Sequence, residues 1–236
     1  MPGFAIPAFS IERGIILEID HERFEAYLES FPEDMPEYLV NLEVHAKENG
    51  IPIIRKDSER LIRFMLTMKK PKHILEVGTA TGFSSLLMAE YCPEKCDILT
   101  IEKDEERAKE AVVNFDKYDI NHKISLQIGD ADEILRKLSA DASKKRYYDF
   151  IFMDAAKGQY INFYPYIMKI LARRGILISD NILQEGSLLD SRYMIPRRDR
   201  TIHTRMREYA ETLMKDKCLE TVVLTTGDGM TLSIRK

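Results

Sequence analysis

Cysteine is scarce in this chain of 236 residues: Cys92, Cys96 and Cys218 are an odd three with no C-x-x-C pair. A disulfide framework is therefore excluded, and a reducing compartment, the cytoplasm, is expected. The five histidines show no H-x-x-x-H or similar spacing, so zinc is not expected, and Cys92 and Cys96 are assigned to packing. Long apolar runs are also missing. Charges interrupt every hydrophobic stretch well short of the roughly 18 residues that a membrane span needs. The start, Met1-Pro2-Gly3-Phe4, lacks the basic head and apolar run of a secretory signal. Neither a charge block nor a low-complexity tract marks disorder. The net charge of −4 argues against indiscriminate polyanion binding, yet it averages over the surface and leaves room for a local basic patch.

What is present is a globular composition, 44% hydrophobic and 31% charged. A single domain over 1–236 is expected, with an arm and helices in 1–70 and the core in 71–236. Residues Met1 to Gly14 read as an arm or an oligomer contact. Apolar residues recur at helical spacing from Phe24 to Leu28 and from Tyr38 to Asn49, with Gly50 as a helix-ending residue. A third helix follows Asp57, its apolar face being Leu61, Ile62, Met65 and Leu66, with Pro71 just beyond.

Strands and helices then alternate. His73 to Val77, Asp97 to Ile101, Ile124 to Gln127, Tyr148 to Met153 and Gly175 to Ser179 read as strands. The stretches Phe83 to Glu90, Glu105 to Tyr118, Ala131 to Leu138 and Ile161 to Ile170 read as the helices between them. Such alternation predicts a doubly wound α/β fold around a mostly parallel sheet. After a helix from Thr201 to Lys215, the stretches Leu219 to Thr225 and Met230 to Ile234 flank Gly227-Asp228-Gly229, which predicts a C-terminal antiparallel hairpin.

Ligands of such sheets bind at the carboxyl ends of the strands. After the first strand comes Glu76-Val77-Gly78-Thr79-Ala80-Thr81-Gly82-Phe83-Ser84, where glycines permit a tight turn and the helix N-terminus can face an anionic group. Two glycines fit an ordinary strand-to-helix turn equally well. The dinucleotide pattern G-x-G-x-x-G fails, because Ala80 and Phe83 hold its second and third glycine positions. Glu102 ends the second strand about twenty residues on, a spacing that suits the hydroxyls of a ribose. Asp130, in Gly129-Asp130-Ala131, suits an adenine amine or a plain helix cap. Two further hydrophobic strands end in acids, at Asp154 and at Asp180-Asn181. Together these three make an all-oxygen set fit for Mg²⁺, Mn²⁺ or Ca²⁺. Lys157, three residues past Asp154, is a surface lysine or, beside a cation that favours the neutral amine, a general base.

Taken in order, Glu76-Val77-Gly78-x-x-x-Gly82-Phe83-Ser84, Thr100-Ile101-Glu102, Gly129-Asp130-Ala131, Asp154-Ala155-Ala156-Lys157-Gly158-Gln159-Tyr160 and Asp180-Asn181 resemble the cation-dependent O-methyltransferases, which include the catechol and caffeoyl-CoA enzymes. The resemblance runs from Tyr38 to the C-terminus and implies a Rossmann-like methyltransferase sheet that uses S-adenosylmethionine and Mg²⁺ or Mn²⁺. It implies that Ile54, Glu76, Gly78 and Ser84 surround the methionine part of the cofactor, Glu102 its ribose, and Asp130 and Ala131 its adenine. Asp154, itself beside the cofactor, matches a metal ligand together with Asp180 and Asn181, and Lys157 matches the base. A homodimer built on the N-terminal helices is implied as well.

Within that family, Asp154 to Phe163 and Asp180 to Gly186 most resemble the bacterial tRNA 5-hydroxyuridine methyltransferases. The expected main substrate is accordingly the wobble uridine of a tRNA anticodon, with a small catechol or caffeoyl-CoA-like phenol as the alternative. A run of arginines, Arg192, Arg197, Arg198, Arg200, Arg205 and Arg207, suits an RNA backbone. It suits a solvated helix paired with Glu208 or Glu211 equally. Tyr160, Phe163 and Tyr193 are candidates for stacking on a base, although Phe163 fits the core better.

Overall fold

The structure, a computed structural model, describes residues 35–236 together with Arg23, 26–28, 30 and 31. The expected arm Met1–Gly14 lies outside the described residues. Ala26, Tyr27 and Leu28 are helical as expected, whereas Phe24 lies outside the described residues. The chain divides into two compact units, Met1–Glu33 and Asp34–Lys236. Everything below concerns the second.

Two helices precede the sheet, α1 (Glu37–Glu48) and α2 (Lys56–Lys69). Ile62, Met65 and Leu66 of α2 are buried at helical spacing. Asp57 falls in the first turn of α2 rather than before it, and its carboxylate is used elsewhere. The alternating part runs β1 (His73–Val77), α3 (Phe83–Tyr91), β2 (Asp97–Glu102), α4 (Glu105–Tyr118), β3 (Ile124–Ile128), α5 (Ala131–Ala140), β4 (Tyr148–Met153), α6 (Tyr160–Ile170) and β5 (Leu171–Ser179). It is followed by α7 (Arg200–Lys215) and the hairpin β6 (Leu219–Leu224) and β7 (Met230–Arg235). Asp104 caps α4 and Asp130 caps α5, each accepting backbone N–H groups of the first turn.

The seven strands lie in the order β3-β2-β1-β4-β5-β7-β6. β1 to β5 pair in parallel and β7 is antiparallel to both β5 and β6. This is the doubly wound α/β fold read from the alternation. β5 starts four residues earlier than expected, because Leu171 pairs with Tyr148 across an irregularity that precedes Phe150.

Strand side chains alternate between two apolar layers. Ile74, Phe150, Phe152, Ile176 and Ile178 pack with Leu39, Ile62, Leu66 and Leu87 on one face. Leu75, Val77, Ile151, Met153 and Leu177 pack with Leu135, Tyr160, Ile167 and Tyr209 on the other. Both faces are covered, so these strands read as nearly continuous hydrophobic runs. No helix among the described residues is long and apolar enough to cross a membrane.

Candidate active site

The connections leaving β1 and β4 run to opposite faces of the sheet, and at that switch point a crevice opens at the strand ends. A cavity of about 630 Å³ occupies it. Its walls include Ile54, Gly78, Ser84, Glu102, Asp130, Ala131 and Asp154, with Phe83 and Phe163 as apolar lining. Glu76 does not line the cavity. It is fully buried beneath it, accepting hydrogen bonds from Ser84 Oγ at 2.5 Å, from Ser85 Oγ and from Thr100 Oγ1 at 2.5 Å. Through these three hydroxyls, on α3 and β2, it fixes the first turn of α3 against the sheet.

Burial pushes the Glu76 carboxyl up from 4.5 to about 7, against the pull of those hydroxyls. The native state then holds the proton to higher pH than the unfolded chain. This contribution to stability is present below about pH 4.5 and is lost as pH rises to about 7. A displacement of that size is on the order of 3 kcal/mol. Urea unfolding at pH 5 and pH 8 should show a smaller difference for Glu76→Gln than for the unaltered chain; equal differences would assign the slope to other groups.

The turn after β1 is shaped by close contact. Gly78 has φ +102°, and its N–H donates to Ile101 O at 2.9 Å. A Cβ there would lie 2.0 Å from the backbone oxygen of Asp154, so the cradle exists only for glycine. Glu102 accepts the Ala80 N–H on one oxygen and the Lys103 and Asp104 N–H groups on the other, all at 2.8 Å. A carboxylate offers about four acceptor positions, leaving roughly one for a ribose hydroxyl. Asp130 does cap its helix, and it also pairs with Lys103 at 2.8 Å, which holds its carboxyl below the usual range. Both alternatives read for this acid thus concern one residue at the cavity wall.

At the ends of β4 and β5, Asp154, Asp180 and Asn181 converge. Asn181 Nδ2 donates to Asp154 Oδ1 at 2.9 Å, and the Asn181 N–H donates to Asp180 Oδ1 at 2.6 Å. Asn181 stands at φ 57°, a left-handed conformation that asparagine tolerates better than most residues. Burial, and then the neighbouring charge of Asp154, push the Asp180 carboxyl up to about 7. Asp180 is buried while Asp154 lines the cavity, and Lys157 is the positive charge acting on both. Among the described residues no three His, Cys, Asp or Glu side chains converge on a metal position; here two carboxylates are joined by the side-chain amide of Asn181, whose nitrogen faces Asp154. That hard, partly filled donor set fits Mg²⁺ or Mn²⁺ with positions left for water and substrate oxygens. Lys157, in a short 3₁₀ turn after β4, lies at the same end.

Two further residues have places in the site that the sequence did not indicate. Tyr160 is fully buried, and its hydroxyl donates to the carbonyl of Met153 or Asp180 while accepting the Ala155 N–H at 3.1 Å. It ties the ends of β4 and β5 together. Asp228 sits at the hairpin tip with one carboxylate oxygen 3.4 Å from Lys157 Nζ. In sequence it was only a turn residue. Because β7 runs antiparallel to β5, with Ser179 opposite Thr231, the β6–β7 turn arrives beside the end of β5.

Three arginines of the expected RNA-binding segment are hydrogen-bonded within their own chain. Arg200 Nε donates to Ile195 O at 2.9 Å, Arg205 Nη1 to Gly158 O at 3.2 Å and Arg207 Nη1 to Asp190 O at 3.0 Å. Arg198 pairs with Asp199 at 3.3 Å, while Arg192 and Arg197 are exposed. Each of the three bracing guanidinium groups spends only one or two of its five N–H donors in this way. The aromatic candidates do not form a platform: Tyr160 and Phe163 are buried, and Tyr193 stands out in solvent.

Comparison with known proteins agrees. The O-methyltransferase family profile matches residues 29–236. A caffeoyl-CoA O-methyltransferase of Stellaria longipes is 31% identical over 75% of this chain and 73% of its own length. A catechol O-methyltransferase of Niastella koreensis is 26% identical over 80% and 86%. A Staphylococcus aureus crystal structure, provisionally named a caffeoyl-CoA O-methyltransferase, superposes with a TM-score of 0.81 at 28% identity, covering 91% of this chain and 100% of that one. These relatives are named for small phenolic substrates, which overturns the expectation of a tRNA wobble uridine in favour of the phenol alternative. With its glycine cradle and oxygen donor set at the carboxyl ends of a doubly wound sheet, the chain belongs to the O-methyltransferase family.

Proposed function

We propose that the protein transfers the methyl group of S-adenosylmethionine to one hydroxyl of a small phenol bearing two neighbouring oxygens, a catechol or a caffeoyl-CoA-like thioester, with Mg²⁺ or Mn²⁺ bound. The observation that carries this reading is the convergence of Asp154, Asp180 and Asn181 with Lys157 beside a cavity whose wall also includes Asp154.

Ile54, Gly78 and Ser84 would hold the methionine part of the cofactor, Glu102 its ribose, and Asp130 with Ala131 its adenine, while Glu76 acts from beneath by fixing Ser84. Asp154, Asp180 and Asn181 would hold the cation. When bound, the cation supplies a template for the two substrate oxygens and favours the ionised phenol; the cofactor supplies a methyl group activated by its sulfonium charge. Lys157 Nζ receives the phenolic proton as that oxygen becomes the nucleophile. Asp154, in the cavity wall and bonded to Asn181, would serve both the cofactor and the cation, and would so help to orient the substrate toward the cofactor. Phe163 and Ile54 add apolar wall to the cavity. No covalent enzyme intermediate is needed.

The test is incubation of the purified protein with S-adenosylmethionine and either catechol or caffeoyl-CoA, with Mg²⁺ or with chelator, followed by mass spectrometry. Monomethylated phenol formed only with metal, and lost in Asp180→Ala, is expected. Cofactor binding without any methylated phenol would reduce the protein to a binding module.

A further inference from the structure

We infer that Asp228 is a positioning residue that couples the base Lys157 to the metal-ligand segment after β5, an inference resting on the roles just proposed for Lys157 and Asn181. The segment from Asn181 to Gly186 is conformationally costly. Asn181, Gln184 and Glu185 have φ of 57°, 51° and 55°, and Gly186 has φ 80°. L-residues hold such angles only where their surroundings impose them, and the hairpin tip imposes these. Ile182 N–H donates to Gly229 O and Leu183 N–H to Asp228 O, each at 2.8 Å, and Glu185 N–H donates to Asp228 Oδ1 at 2.5 Å. The second Asp228 oxygen faces Lys157 Nζ at 3.4 Å. One carboxylate, its side chain only 10% exposed, thus has one oxygen on each half of the proposed machinery.

The tip itself is clamped. Gly227 N–H donates to Asp57 Oδ2 at 2.7 Å, so the first turn of α2 grips it. Gly227 and Gly229 have φ +62° and +78°, and a Cβ on them would fall 2.5 Å from Ser58 Oγ and 2.2 Å from Leu183 Cγ. A turn so enclosed cannot slide, and neither can the acid it carries. Lysine has a long flexible stem, and a fixed acceptor oxygen beside its amine N–H groups confines the amine, neutral or charged, to one end of its reach.

Two substitutions separate the two oxygens. Asp228→Asn keeps an acceptor for the Glu185 N–H but puts an NH₂ donor in place of the acceptor oxygen facing Lys157; Asp228→Ala removes both acceptors. Calorimetric titration with Mg²⁺ alone should find Asp228→Asn within about twofold of the unaltered protein and Asp228→Ala weaker by roughly 10-fold or more, the scale of losing a supporting contact to a metal ligand. With catechol, Asp228→Asn should lower kcat roughly 10- to 100-fold with KM little changed. In a Lys157→Met background the same change should have no further effect, since an effect exerted through Lys157 vanishes with it.

Unchanged Mg²⁺ affinity in Asp228→Ala would overturn the coupling, as would an Asp228→Asn loss of equal size with and without Lys157. Absence of catechol turnover by the unaltered protein would count instead against the phenol reading. The Mg²⁺ titrations would still decide whether Asp228 supports the ligand segment.

Discussion

Gly78→Ala should destabilise the protein by roughly 3–5 kcal/mol and abolish S-adenosylmethionine binding. Two costs combine. At φ +102° an alanine is strained whatever the space around it, and its Cβ would meet the Asp154 carbonyl oxygen at 2.0 Å. That oxygen cannot retreat, because the Asp154 N–H is bonded to Val77 O at 2.9 Å and the Gly78 N–H to Ile101 O at 2.9 Å. The ends of β1, β2 and β4 are braced against one another at this point, so relief must come from opening the sheet or displacing the cradle. Gly50 provides the contrast. Its φ is +64° but a Cβ there meets nothing within 4 Å, so Gly50→Ala should cost only about 1 kcal/mol. Urea unfolding of both variants, with calorimetric cofactor titration, tests the argument; equal costs would mean that the approach of β4 to Gly78 is not what demands glycine.

Lys157→Met should lower kcat by about 10²- to 10⁴-fold, the usual worth of a general base, while leaving cofactor and Mg²⁺ affinity nearly unchanged. Methionine keeps most of the apolar stem, so the 3₁₀ turn at Lys157–Gln159 retains its packing while the proton acceptor is gone. Single-turnover methylation of catechol measures the chemical step without product release. A variant with kcat close to that of the unaltered protein would show that ionisation of the phenol needs no protein base, and the role proposed for Lys157 would fall.

Much of the cavity wall was legible because each residue sits just past a strand that declares itself by hydrophobic content. Gly78, Glu102, Asp130 and Asp154 were found from that rule, and all four line one cavity. Glu76 was found as well, but not its place beneath the floor, since a strand residue's face depends on what covers the sheet. The arginine segment was ambiguous for a related reason. A guanidinium group is a phosphate ligand or an internal brace according to which carbonyls come within reach, and Arg200, Arg205 and Arg207 reach the carbonyls of Ile195, Gly158 and Asp190. Linear spacing says nothing about those carbonyls.

Strand and helix periodicity, the glycine cradle and the acids that end β4 and β5 were determined by the sequence itself, because each depends on residues adjacent in the chain. The pairing order of the last three strands was not. Only the insertion of β7 between β5 and β6 brings the hairpin tip to Lys157 and to the segment Ile182–Glu185 that follows Asn181. Asp57 likewise meets Gly227 across 170 residues of chain. Such contacts are chosen by the packing of completed elements, where the deciding quantity is which backbone groups remain to be satisfied once the sheet has closed.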